Sequence, residues 1–187
     1  MTEEQSIQNI RDFLVHIGEN PDREGLKDTP KRIFKMWKEI YRGYNKEQKP
    51  NITVFDNNND GIEYDQMITD RGYFFSQCEH HGVPFFGDYY FAYIPDRKVV
   101  GLSKIARLVD YFSAKLQVQE RLTIEIVNEL EKVLQPKGIA LVMKGRHLCK
   151  EMRGVKKHNA EMTTSEMRGV FKRDEKARAE FLSLIKL

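Results

Sequence analysis

Met67-Ile68-Thr69-Asp70-Arg71-Gly72-Tyr73-Phe74-Phe75 and, after a short gap, Phe86-Gly87-Asp88-Tyr89-Tyr90-Phe91-Ala92-Tyr93-Ile94 decide the fold class of this chain. Both runs are dense in aromatic and β-branched residues, which suit a pleated, half-buried surface, and Gly, Pro and Asp bound them. They read as antiparallel strands. Downstream the period becomes helical. Ser103 is placed to cap a helix carrying Ile105, Leu108, Val109 and Phe112, and a longer helix from about Val118 to Leu134 carries Leu122, Ile126, Val127, Leu130 and Val133. Pro136 and Gly138 end it; 138–144 has strand length, 154–171 reads as a further hairpin and 174–185 as a closing helix. Upstream, Ile7, Ile10, Phe13, Leu14 and Ile17 fall at helical spacing behind a Thr2/Gln5 capping box. Thr29-Pro30 supplies an N-cap and first-turn pair for a second helix reaching about Tyr44. Residues 45–61 are a polar, Asn-rich connector with room for a short strand at 52–55. Strands grouped among long helices, without strict βαβ alternation, indicate α+β.

With 187 residues, 40% of them hydrophobic, the chain can bury one substantial core, which predicts one compact domain with an N-terminal helical extension. A formal charge of +3, with Lys and Arg interspersed among Asp and Glu, gives no reason to expect a nucleic-acid partner. The opening MTEEQSIQNI is polar, and no apolar run approaches about 18 residues. The expectation is a cytoplasmic protein with no membrane partner.

The two cysteines, Cys78 and Cys149, lie in Cys78-Glu79-His80-His81 and His147-Leu148-Cys149, which also hold three of the five histidines. Thiolate and imidazole are preferred zinc ligands, and a reducing compartment favours ligation over a disulfide. Three protein ligands leave a position for water, the pattern of catalytic rather than structural zinc. Such a centre makes hydroxide available near neutral pH, and an unligated histidine beside it can transfer protons, so the site suits hydrolysis. Alternation along an extended strand pairs His147 with Cys149 and Cys78 with His80; if 78–81 is instead a turn, His81 reaches the metal. Periodicity does not choose between these.

Further motifs follow in order: Pro84-Phe85, Gly87, Ala92-Tyr93-Ile94-Pro95, Gly101-Leu102-Ser103-Lys104, Ala106-Arg107, Gln117 to Thr123, and Met152-Arg153-Gly154-Val155. Together with Gly18-Glu19-Asn20-Pro21, 23–26 and 29–32, this ordered set closely resembles the GTP cyclohydrolase I family. The resemblance implies conversion of GTP and water to 7,8-dihydroneopterin triphosphate and formate, the entry to tetrahydrofolate or biopterin synthesis. It implies Cys78, His81 and Cys149 as Zn2+ ligands, His147 as the group that protonates the base, and His80 near the sugar. It also implies the tunnelling fold (T-fold), with 1–62 as extension and connector and 63–187 as the catalytic domain. In that fold the sheets of neighbouring subunits complete a barrel, two pentamers form a homodecamer, and active sites lie at subunit interfaces.

The same resemblance assigns substrate contacts to Ser103, Lys104, Arg107, Gln119, Glu120 and Arg153. A carboxylate at Glu120 matches the paired donors of guanine, though it equally complements its helix dipole. Lys104 and Arg107, three apart on one helix face, suit phosphate and equally suit a solvated face; Arg153 adds a planar fork. Ser103 fits a cap, a substrate contact, or both. Two stretches depart from the family pattern, 158–165 and Lys150, and neither is expected to touch these motif residues. The alternatives are a related T-fold enzyme acting on another purine or pterin, and a non-catalytic zinc-stabilised module.

Overall fold

A computed structural model describes residues 1–185, which divide into two compact units, Met1–Arg42 and a second that begins at Gly43. In the first, α1 (Glu3–His16) begins at the expected capping box: Thr2 accepts from the Gln5 backbone, and the Gln5 side chain accepts from the Thr2 N–H. Helix α2 (Thr29–Ile40) starts one residue earlier than expected, because the carbonyl of Asp28 already accepts the first helical bond, from Arg32. Thr29 is therefore inside the helix, and a separate 3-10 turn covers Arg42–Tyr44.

The second unit is built on a five-stranded sheet of order β5-β2-β3-β6-β7, formed by β2 (Ile68–Cys78), β3 (Pro84–Ile94), β5 (Leu116–Gln117), β6 (Gly138–His147) and β7 (Glu161–Gly169). Only the β2–β5 pair is parallel. A separate ribbon pairs β1 (Val54–Asp56) with β4 (Lys98–Val100), the former close to the short strand expected in the connector. The β2–β3 hairpin is longer than its sequence signal, since pairing continues to Gln77↔Pro84.

Strand alternation divides the aromatic residues between two cores. Phe74, Phe85, Phe91, Tyr93, Leu141 and Met143 face α3 (Leu102–Ser113) and α4 (Gln119–Leu134), while Tyr90, Ala92, Ala140 and Val142 pack with Phe171 and Phe181. The latter two come from α6 (Val170–Arg173) and α7 (Glu175–Ile185). Each fully buried Phe contributes roughly 1.5–3 kcal/mol of apolar burial.

The helices α3 and α4 run in opposite senses along the sheet. Ser76 Oγ donates to Ser113 O at the end of α3, near Cys78, whereas Val100 N, just before α3, donates to Tyr93 Oη at the Ile68 end. The cap of α3 is Gly101, in extended conformation with its N–H on Thr53 O; Ser103 lies inside the first turn and caps nothing. The 154–171 segment is not a hairpin. Lys156 and Asn159 take positive φ, and only β7 is extended, pairing with β6. Among the described residues no helix is long and apolar enough to cross a membrane.

Candidate active site

The β2–β3 hairpin turns sharply at its tip: Cys78 O accepts from Gly82 N at 2.8 Å and His81 N at 3.3 Å, and Cys78 N donates to Val83 O. Gly82 adopts φ +65, a conformation L side chains rarely adopt. This turn brings His81 back over the strand end, so that its Nδ1 is 3.7 Å from Cys78 Sγ; His80 Nδ1 is 3.8 Å away. The second sulfur, that of Cys149, arrives just beyond β6, whose last residue His147 pairs with Phe85. The chain then enters α5 (Leu148–Glu151), so Cys149 sits on a helical turn and not on the extended strand assumed in pairing it with His147. Arg146 clamps this turn through two hydrogen bonds to Glu151, at 3.0 and 2.6 Å.

Ligand atoms of Cys78, His81 and Cys149 lie within 4.8 Å of one another, close to the separation that bonds of about 2.0–2.3 Å to a shared ion impose. Two sulfurs and an imidazole form a donor set able to hold a borderline-soft cation. Burial, and then the adjacent Cys78 sulfur, push the Cys149 thiol above its ordinary range. A cation among the sulfurs reverses that penalty by stabilising thiolate. Arg153, following α5, places Nη1 2.8 Å from His81 Nε2.

His147 is half-buried, stacked on Phe85 at 4.6 Å and 6° between planes. Burial pushes its pKa below the ordinary imidazole value, against the opposing charge of Glu120 and with help from Lys150. Burial thus favours its neutral form. Its Nε2 lies 2.9 Å from Oε1 of Gln119, the first residue of α4. The Gln119 carboxamide is spent inside the chain, on Met143 O, Met162 O and Thr164 Oγ1. Glu120, next on the helix, is exposed.

Thr164 lies in the segment expected to stay clear of the motif residues, yet it accepts from Gln119, so that expectation fails there; Lys150 bears on His147 only through its charge. Glu79 was also missed: Arg121 on α4 holds its carboxylate and bonds Gln117 Oε1 and Leu116 O as well, tying the Cys78–Gly82 turn to the helix. Neither contact joins residues near in sequence; the single local hint was Gly145, an isolated glycine in a strand.

The expected residues fall into two groups along the sheet. Cys78, His80, His81, Cys149, His147, Arg153, Gln119 and Glu120 gather at the end of the sheet where β2 stops and α4 starts. Ser103, Lys104 and Arg107 occupy the start of α3, at the Ile68–Tyr93 end. Lys104 and Arg107 precede Ser113 by roughly 14 and 9 Å along the helix at about 1.5 Å per residue, and it is Ser113 that meets Ser76 near Cys78.

Fold and site define a mixed α+β protein with a Cys-His-Cys candidate metal centre beside a partly buried histidine. The sequence matches the model of the GTP cyclohydrolase I family over residues 6–186. It is 52% identical over 179 residues to the GTP cyclohydrolase 1 of Sulfurihydrogenibium sp. (strain YO3AOP1), covering 95% of this chain and 92% of that protein. The Wolinella succinogenes GTP cyclohydrolase 1 is 46% identical over 184 residues, covering 98% and 95%. That of Helicobacter pylori (strain G27) is 43% identical over 174 residues, covering 93% and 96%. The chain belongs to the GTP cyclohydrolase I family.

Proposed function

We infer that this chain is a GTP cyclohydrolase I, converting GTP and water to 7,8-dihydroneopterin triphosphate and formate at the start of tetrahydrofolate synthesis. The observation that carries the reading is the convergence of Cys78, His81 and Cys149 beside His147, in a chain of this family. Two sulfurs and one imidazole favour Zn2+ as the ion. Zinc, when bound, supplies a Lewis acid that brings the pKa of water towards neutrality.

The chain's own groups supply the rest. The Glu120 carboxylate accepts from N1–H and the 2-amino group of guanine, which fixes the base over the cluster. His147, neutral and held against Phe85, gives or takes the proton at the imidazole ring of the base as that ring opens and formate leaves. His80, on the turn, lies toward the ribose, and Arg153 is a planar fork for phosphate oxygens. Gln119 stands beside Glu120 with its side chain on His147.

Ser103, Lys104 and Arg107 take the triphosphate in this reading, from a neighbouring subunit. Their place towards the end of α3 that is remote from Ser113, the residue that meets Ser76 near Cys78, supports that division. A homo-oligomer, two rings of five joined by their sheets into a barrel, follows, and within the described residues β7 pairs only with β6, leaving an open edge for such joining. The catalytic portion is taken as 63–187, with 1–62 as extension and connector, acting in the cytoplasm. Purified, metal-loaded protein given GTP is expected to release formate and to yield fluorescent neopterin after oxidation and dephosphorylation. Absence of both products with zinc bound overturns the reading.

A further inference from the structure

The side chain of Gln119 is oriented without ambiguity. Its Nε2 lies 3.0 Å from Met143 O, 3.0 Å from Met162 O and 3.2 Å from Thr164 Oγ1. Backbone carbonyls only accept, so the nitrogen end must face them, and the two ends of the carboxamide are not interchangeable. The oxygen is thereby turned to His147, 2.9 Å from Nε2. An amide oxygen also only accepts, so Nε2 carries the ring hydrogen. A neutral imidazole has one N–H, which leaves Nδ1 as the nitrogen with a lone pair.

The surroundings enforce this arrangement. Gln119 is 0% exposed, so its carboxamide has no water to turn towards. Thr123 Oγ1 donates to Gln119 O at 2.8 Å, so in its 2.7 Å contact with Thr164 the hydrogen comes from Thr164, whose oxygen is then free to accept from Gln119. Gly145 provides the space: a Cβ there would stand 2.5 Å from Gln119 Oε1. Phe85 fixes the plane of the imidazole, and Gln119 fixes its rotation within that plane.

We propose that Gln119 is a positioning residue for the reaction: it holds His147 as the Nε2–H tautomer and presents Nδ1 to the substrate, with β7 completing the device through Met162 O and Thr164. A direct contact between the Gln119 side chain and guanine would require the carboxamide to leave three acceptors, two of them main-chain carbonyls.

The inference rests on His147 as the proton-transfer residue of the proposed reaction, and the test separates the two. Steady-state kinetics, zinc content and thermal midpoint are measured on the full assembly for wild type, Gln119→Met, Gln119→Glu, His147→Ala and the two double variants. Methionine keeps the length of Gln119 and removes the acceptor; kcat is expected to fall about 10²-fold, with KM for GTP and zinc content near wild type. Glutamate keeps an acceptor for His147 but loses the donors to both carbonyls. It is therefore expected to be the less stable variant and yet at least about tenfold faster than Gln119→Met, which a purely structural role does not produce. On the His147→Ala background both substitutions should leave the residual rate unchanged, because no ring remains to be held. If Gln119→Met fails to assemble, the Gln119→Glu pair carries the same comparison. A raised KM with preserved kcat, or losses that add in full to His147→Ala, overturn the proposal. A slow His147→Ala with a fully active Gln119→Met overturns this inference alone; a fully active His147→Ala, or a wild type that releases no formate, overturns it together with the reading beneath it.

Discussion

At the Cys78 end of the sheet most polar side chains are already engaged within the chain: Gln119 with His147, Arg153 with His81, Arg121 with Glu79, Arg146 with Glu151. At the Ile68 end, the start of α3 holds Ser103, Lys104 and Arg107 with no side-chain hydrogen bond or ion pair among the described residues. The contrast is between a region organised before substrate arrives and one that keeps its charge available. Groups that move protons gain from fixed geometry, since preorganisation leaves nothing to rearrange during reaction. Cations that bind phosphate lose by being paired beforehand.

Removing a sulfur from the organised end should have the largest effect. Cys149→Ala is expected to lose its metal and at least about 10³-fold in kcat while remaining assembled, because metal stabilisation is worth several kcal/mol. Elemental analysis and size-exclusion chromatography check this, and retained zinc with retained turnover would remove the cluster from the chemistry. Next comes the other end. Lys104→Ala and Arg107→Ala should each raise KM for GTP about 10- to 100-fold, the value of a charge-assisted hydrogen bond, with zinc content untouched.

Mixing the two classes of variant breaks or sharpens the contrast most directly. In oligomers reassembled at equal ratio from Cys149→Ala and Lys104→Ala/Arg107→Ala chains, about a quarter of composite sites unite two intact ends, so activity should reappear. No recovery would mean that one chain supplies both.

A smaller loss is expected for Arg121→Met, which frees Glu79 between two ligands. Zinc affinity, read by chelator competition, should weaken about 10- to 100-fold, as when an outer partner of a ligand is removed. The smallest effect concerns Arg146 and Glu151. The guanidinium holds the Glu151 carboxyl below its ordinary range, so the bond's stabilisation is complete above about pH 4.3 and is lost as the pH falls below that value. Glu151→Gln should lower the thermal midpoint by a few degrees near pH 7, and the difference from wild type should vanish in acid.

The long regular elements were legible in the sequence because their periodicity is local. The β2 and β3 strands, the apolar stripe of α4 and the Thr2/Gln5 box all follow from neighbours within a few residues. Errors arose where a distant partner decides. Ser103 is a good capping residue, yet Gly101 starts α3 because its N–H reaches Thr53. Strand alternation paired Cys149 with His147, but the chain turns into α5 at Leu148, and four residues of helix are too few to show a period. The ligand set was readable from cysteine and histidine chemistry together with family resemblance. The supports around it, Thr164 and Arg121, join residues some forty positions apart and carry no motif.

Gly145 has no functional group to offer a substrate, and its backbone is an ordinary part of β6. Its contribution is a volume left empty, into which the oxygen of Gln119 fits. A single added methyl, the smallest change a glycine can undergo, would collide with that oxygen and displace His147 without touching any reacting atom. A substitution scan would therefore rank Gly145 with the residues essential for turnover. Sensitivity to mutation at this position reports a shape, and only the geometry distinguishes it from a role in the chemistry.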